Sequence, residues 1–246
     1  MNELFGLTRT VVKERYALLA PDGFVPSNLP GWSGVVANVL ISEAMGAKFS
    51  QVLITFGAKG LGHGHTGSNE YFVYVLNGRC AFTVGGKKQK LAAGSYAYIP
   101  PAEDFHFYDA ASATRLLLFQ KKYENLDGFE QPPALVSQQK NVKDQPFLGN
   151  EDARLQVLLP DQPQFDMAVN IFTYQPGATL PFVETHIMEH GLVMLSGQGV
   201  YRLGADYHPV QAGDVIWMAP YCPQWFVAMG KTPASYIYYK DVNRAP

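Results

Sequence analysis

Leu195-Ser-Gly197-Gln-Gly-Val-Tyr201-Arg-Leu-Gly204, set beside Leu76-Asn-Gly78-Arg-Cys-Ala-Phe-Thr-Val-Gly85 119 residues earlier, decides the fold. Both stretches are short apolar and β-branched runs closed by glycine at the same two places. The register continues outward: Ala93-Gly94 falls on Ala212-Gly213, Pro101 on Pro220, Phe107 on Phe226 and Lys121 on Lys240. The runs between these markers match in character, Tyr98-Ile99 over Trp217-Met218 and Val52-Leu53 over Ile171-Phe172. Turn residues that hold one offset over 45 positions mark an internal repeat, so each half is one module.

The modules read as β. Gln51–Phe56, Tyr71–Leu76, Ala81–Val84, Ser95–Ile99 and Arg115–Phe119 are rich in β-branched and aromatic residues, and Gly, Pro or Asn punctuates most of them. No long amphipathic stretch demands a helix. The expectation is an all-β chain of two sandwiches or barrels. A lead-in over 1–45, with a turn at Pro21-Asp-Gly23, packs on the barrels. The first barrel spans 46–122, a connector rich in Gln, Pro, Asn and Asp spans 123–163, and the second barrel spans 164–246.

Composition narrows the function classes. Of 246 residues 47% are hydrophobic, 13% aromatic and only 16% charged, which excludes a disordered chain. A net charge of −2 with no basic stripe argues against nucleic acid. No run of 18 apolar residues offers a membrane span, and the N-terminal stretch from Met1 to Gly23 lacks the apolar core of a signal peptide. Two cysteines, Cys80 and Cys222, are too few for a disulfide scaffold. The expectation is a cytoplasmic protein without nucleic-acid or membrane partners. Strand edges are expected to be covered in a homo-oligomer.

The chemistry concentrates in Glu184-Thr-His186-Ile-Met-Glu-His190. On one continuous strand the even spacing turns Glu184, His186 and His190 to the same face, which suits a divalent metal. The same residues carry the H-x-x-E-H spacing of inverted zinc peptidases, but that motif needs a helix. Pro176-Gly177, Pro181, Gly191 and Gly197 leave no room for one.

The glycine-punctuated strands, the ligand cluster, Ala212-Gly213-Asp214 and Pro220 resemble the cupin barrel, and two copies make a bicupin. Closer motifs resemble the (S)-ureidoglycine aminohydrolase family of purine catabolism: the 184–190 segment, Leu195–Tyr201, Pro220-Tyr-Cys-Pro-Gln224-Trp-Phe226 and Tyr236-Ile-Tyr-Tyr-Lys240-Asp-Val-Asn-Arg244, with Leu18–Gly23 near the start. The resemblance implies one Mn²⁺ in the second barrel, on Glu184, His186, His190 and Gln224. It implies a substrate pocket of Glu184, Tyr201, Gln224, Tyr236 and Lys240, with Glu184, Tyr236 and Lys240 catalytic. The donor set, nitrogen and oxygen without thiolate, suits Mn²⁺ or Fe²⁺ better than a structural Zn²⁺. Cys222 reads as a small core residue. Hydrolysis of (S)-ureidoglycine to (S)-ureidoglycolate and ammonia is the implied reaction. A cupin dioxygenase or isomerase, or a bicupin that only binds a small ligand, is the alternative.

The first half carries Gly62-His63-Gly-His65-Thr-Gly-Ser-Asn-Glu70 and, later, His106, superficially the general cupin ligand set. The repeat register instead places His65 on Glu184, Gly67 on His186, Tyr71 on His190, Phe105 on Gln224, Glu70 on Glu189 and His106 on Trp225. Nearly every apparent ligand is one step out, hence on the opposite face of its strand. Either a one-residue bulge restores a second site, or the first barrel is metal-free and Lys121 is a relic or a surface charge.

Overall fold

The structure, a computed structural model, describes residues 7–244. The first six residues, part of the N-terminal stretch read for a signal peptide, lie outside the described residues, as do the last two. The chain is all-β. Among the described residues the only helical turns are three 3-10 turns of three residues each, Pro21–Gly23, Glu43–Met45 and Gln139–Asn141. No helix among them is long and apolar enough to cross a membrane.

Two compact units emerge. One gathers the residues up to Phe24, Gln145–Leu155 and Ile171–Lys240; the other gathers Val25–Asp144, Gln156–Asn170 and the residues after Lys240. Each wraps strands around its own apolar core. In the first barrel the long strand Phe49–His65 pairs with Arg115–Lys122 through its first half and with Asp104–Tyr108 through its last residues. Asn69–Asn77 lies between Arg115–Lys122 and Ser95–Ile99. Alternation sends Val73, Val75, Phe82, Phe105, Phe107, Leu116 and Leu118 inward.

In the second barrel Val215–Met218, His190–Ser196 and Ala234–Asp241 are neighbours in one sheet, and a three-stranded sheet of Asp206–Gln211, Gln198–Leu203 and Gln224–Met229 forms the rest of the wall. Tyr16–Leu19 adds an edge strand on Val215–Met218. The Arg9 guanidinium locks this lead-in with two bonds, 2.6 and 2.7 Å, to the buried carboxylate of Asp214. The polar segment read as a connector holds strands of its own, Leu135–Gln138, Gln145–Phe147 and Asn150–Val157. Most of their residues are only half-buried or exposed, which is why polar residues suffice there.

The repeat persists in the hydrogen bonding. Tyr71 faces Ile99 as His190 faces Met218, and Val84 faces Phe105 as Leu203 faces Gln224. The last strand breaks it. Gln120 faces Tyr71, whereas Lys240 faces His190, so Gln120 and not Lys121 is the counterpart of Lys240. Between the equivalent positions Tyr108 and Arg115 lie six residues and between Val227 and Ser235 seven, so the strand slips by one. Lys121 is therefore neither the twin of Lys240 nor a surface charge. It is buried, and its ammonium meets Asp166 at 2.7 Å.

Candidate metal centre

The segment carrying the second barrel's polar residues is not one strand. Glu184 forms a single bridge with Gln224, closed by two backbone hydrogen bonds of 2.9 Å, His186 lies in a loop, and His190 opens the strand His190–Ser196. Pro181 and the residues after it interrupt the ladder, so the expected strand alternation is corrected: the loop's path brings the His186 ring to that of His190. The backbone N–H of Tyr221 donates to the His186 carbonyl at 2.6 Å and ties that loop to the turn before Gln224. The segment is not helical either, which removes the peptidase geometry.

Three polar groups meet here. The Nε2 atoms of His186 and His190 are 3.2 Å apart, and the amide of Gln224 lies 3.1 Å from His186 Nε2. His186 Nδ1 is 3.2 Å from the carbonyl of Met188. A carbonyl only accepts, so Nδ1 carries a proton, and the tautomer with that single proton presents a bare Nε2 to its neighbours. His190 is buried, and burial together with the His186 and Lys240 charges holds its pKa well below the usual imidazole value. Its ring stacks on Tyr238, centroids 5.5 Å apart. Burial raises the Glu184 carboxyl, against the opposing pull of His186 and Lys240.

Among the described residues no three His, Cys, Asp or Glu side chains form a metal cluster by themselves. The third donor at contact distance is an amide, and its oxygen and nitrogen exchange places by a flip. Two facing imidazole nitrogens, one of them bare, an amide oxygen and the carboxylate on the residue bridged to Gln224 fit a divalent cation of hard to borderline character. The hydrogen bond from Nδ1 to a carbonyl is the usual support of a ligating histidine.

The other sequence-selected residues surround this centre. Lys240 faces His190 across the sheet, and Tyr236 precedes it by four on the same face of its strand. Tyr201 and Tyr236 are buried in the barrel core, ring centroids 6.2 Å apart. Cys222 is buried in the same core and burial raises its thiol pKa, in keeping with a packing role. Sequence reasoning missed Tyr174 and Tyr238, which also line this interior. The signal for Tyr238 was present: Ala234–Asp241 alternates tyrosines inward where the first barrel has Leu116 and Leu118.

The first barrel brings nothing comparable together. His63 and His106 are cross-strand partners with rings 6.2 Å apart, and with His65 they are exposed. Glu70 points elsewhere, buried, and accepts the Tyr98 hydroxyl at 2.6 Å. Gly64, not His65, faces Phe105 there as Glu184 faces Gln224. Phe105 thus holds the place of the amide. A Cβ on Gly64 would stand 2.9 Å from its ring.

Comparisons with known proteins agree with this fold. The cupin domain matches twice, over residues 52–119 and 170–239. The (S)-ureidoglycine aminohydrolase of Arabidopsis thaliana is 38% identical over all of this chain and 82% of its own length. That of Escherichia coli K12 is 37% identical, over 96% of this chain and 92% of its own. The crystal structure of the Escherichia coli protein Ylba superposes with a TM-score of 0.87 at 32% identity, covering 97% of this chain and 96% of that one.

Proposed function

Since this chain belongs to the (S)-ureidoglycine aminohydrolase family of double-barrelled cupins, we propose that it converts (S)-ureidoglycine and water to (S)-ureidoglycolate and ammonia in purine catabolism. The observation that carries the reading is the meeting of His186, His190 and Gln224 in the second barrel, with Lys240 facing His190. We assign Glu184, His186, His190 and Gln224 as ligands of a Mn²⁺ ion. Glu184, Tyr201, Gln224, Tyr236 and Lys240 form the substrate pocket.

When bound, the metal supplies a Lewis acid that anchors and polarises the substrate. The chain supplies the rest. The reacting carbon bears an amine, a ureido nitrogen and a carboxylate. The Lys240 ammonium is the charge complement of that carboxylate, and the Tyr236 hydroxyl on the same strand face adds a hydrogen bond. The C–N bond to the amine breaks once that nitrogen carries an extra proton, helped by electron donation from the ureido nitrogen. Water adds to the carbon and gives up a proton. Glu184, whose proton affinity is raised by burial, is the group that first gives its proton to the leaving nitrogen and then takes one back from the adding water. Positioned proton transfer of this kind contributes about 10²–10⁴-fold. The reading takes the enzyme as cytoplasmic and homo-oligomeric.

The test is ammonia release from freshly generated (S)-ureidoglycine by metal-stripped protein, before and after addition of Mn²⁺. Release above the spontaneous rate that depends on Mn²⁺ is the expected result. No release with either Mn²⁺ or Fe²⁺ overturns the assignment and leaves the fold intact.

A further inference from the structure

The second barrel keeps several phenol groups, Tyr174, Tyr201 and Tyr236 among them, inside a core that the first barrel builds almost wholly from hydrocarbon. Tyr201 corresponds to Phe82 and Tyr236 to Leu116 in the strand registers, and Phe172 and Tyr174 line the wall that Val52, Ile54 and Phe56 line in the first barrel. An apolar core of this shape therefore folds without these hydroxyls. Retaining them costs desolvation unless each is bonded.

Tyr174 closes the strand Met167–Tyr174 and is fully buried. Its hydroxyl lies 3.2 Å from that of Tyr236, the one hydrogen-bond partner it has among the described residues. The rings lie nearly parallel with centroids 5.9 Å apart, and Tyr174 packs edge-on against Phe226 at 5.1 Å. The same Phe226 meets Tyr236 edge-on and Tyr201 at 5.5 Å, so one ring wedges all three phenols.

We infer that Tyr174 is a positioning residue for the reaction, setting the direction of the Tyr236 hydroxyl. A phenol with one partner satisfies its proton by donating to it. The Tyr174 O–H then occupies a lone pair of the Tyr236 oxygen, and the Tyr236 proton is left to point into the pocket, at substrate oxygen. Without Tyr174 the Tyr236 O–H rotates freely or turns back toward the core. The inference rests on the aminohydrolase reading for its catalytic consequence, but not for the contact itself.

The test compares the Mn²⁺-loaded wild type with Tyr174→Phe, Tyr236→Phe and the double variant. Tyr174→Phe keeps the ring and is expected to lower kcat about tenfold, which corresponds to roughly one hydrogen bond at the transition state. Mn²⁺ affinity and the Mn²⁺ electron paramagnetic resonance spectrum should stay unchanged. Because Tyr174 acts through Tyr236, the double variant should be no slower than Tyr236→Phe within about twofold. Losses that multiply, or full activity in Tyr174→Phe, overturn the inference. A readout without substrate separates its failure from that of the functional reading: in protein labelled at tyrosine Cζ, Tyr174→Phe should shift the Tyr236 resonance. An unshifted resonance overturns the contact even if the wild type proves active. A shifted resonance in a protein that releases no ammonia supports the contact and refutes the reaction.

Discussion

His186 and His190 face each other through their Nε2 atoms at 3.2 Å, although the first lies in a loop and the second opens a strand. Two neutral imidazoles in that pose share at most one proton, and His186 spends its own on the Met188 carbonyl. A cation between them satisfies both nitrogens at once. The arrangement is held from behind: the His186 carbonyl takes the N–H of Tyr221, and His190 stacks on Tyr238.

Removing one of these nitrogens should cost metal before anything else. His190→Ala is expected to lower Mn²⁺ affinity by at least about 100-fold, read by equilibrium dialysis with elemental analysis. The fold should persist, because the variant only shortens a side chain at the end of a strand. Undiminished Mn²⁺ content in this variant would remove His190 from the ligand set.

Lys240 should behave in the opposite way. It faces His190 but is a cation, so it repels rather than holds a metal. Lys240→Ala is expected to retain Mn²⁺ and to lose about 10²-fold or more in kcat/KM, as befits a lost charge-assisted contact to a carboxylate. Steady-state ammonia release with parallel metal analysis checks both halves. Equal turnover in wild type and variant would sink the role given to Lys240.

The fold was legible because turn glycines and inward aromatics recur at one offset, and local hydrogen bonding obeys the same arithmetic. The candidate metal centre was legible as residue types and through the family resemblance, but its geometry was not. Strand alternation was the wrong frame for Glu184, His186 and His190: His186 sits in a loop, and the groups that meet are His186, His190 and Gln224. Lys121 misled for a related reason: one extra residue in a turn shifts the final strand, and an offset read from glycines cannot register it. The first barrel's histidines were placed on the wrong face by their register, and they are exposed.

Gly199, inside the motif that opens the sequence argument, is required by packing rather than by backbone freedom. A Cβ there would lie 2.3 Å from the Val227 carbonyl oxygen and 2.4 Å from the Phe226 ring. Phe226 is the ring that wedges Tyr174, Tyr201 and Tyr236. Gly199→Ala should therefore destabilise by about 1–3 kcal/mol as the strands part. It should also lower activity in whatever protein remains folded. Denaturant unfolding and specific activity per folded molecule check the two effects separately, and a variant as stable as wild type would contradict the packing described here.

Glu70, read in the sequence as a possible ligand, instead sets a pH dependence of stability. Its carboxyl is fully buried beside that of Asp166, with Tyr98 donating to one oxygen and the other oxygen unpaired, as is Asp166 Oδ1. Asp166 has the ammonium of Lys121 at 2.7 Å and the N–H of Glu124 at 2.8 Å, so the donors in this pair converge on Asp166 rather than on Glu70. Burial, with Asp166 next to it, raises the Glu70 pKa well above the ordinary value, against the weaker pull of Tyr98 and Lys121. Tyr123, with Arg244 over its ring, completes the charged surroundings. A carboxyl whose pKa is raised in the folded state binds its proton more tightly there than when unfolded. Its contribution is complete below the ordinary carboxylate range and is lost as pH climbs through the raised value. Glu70→Gln keeps a donor toward Asp166 and cannot ionise. It should leave stability near pH 5 almost unchanged and raise Tm at pH 9 by about 2–4 °C, the scale of one kcal/mol in a chain this long. Melting curves across that range decide the matter. A variant that melts lower than wild type at pH 9 would mean that Glu70 is ionised in the folded protein and that Lys121 serves both carboxylates.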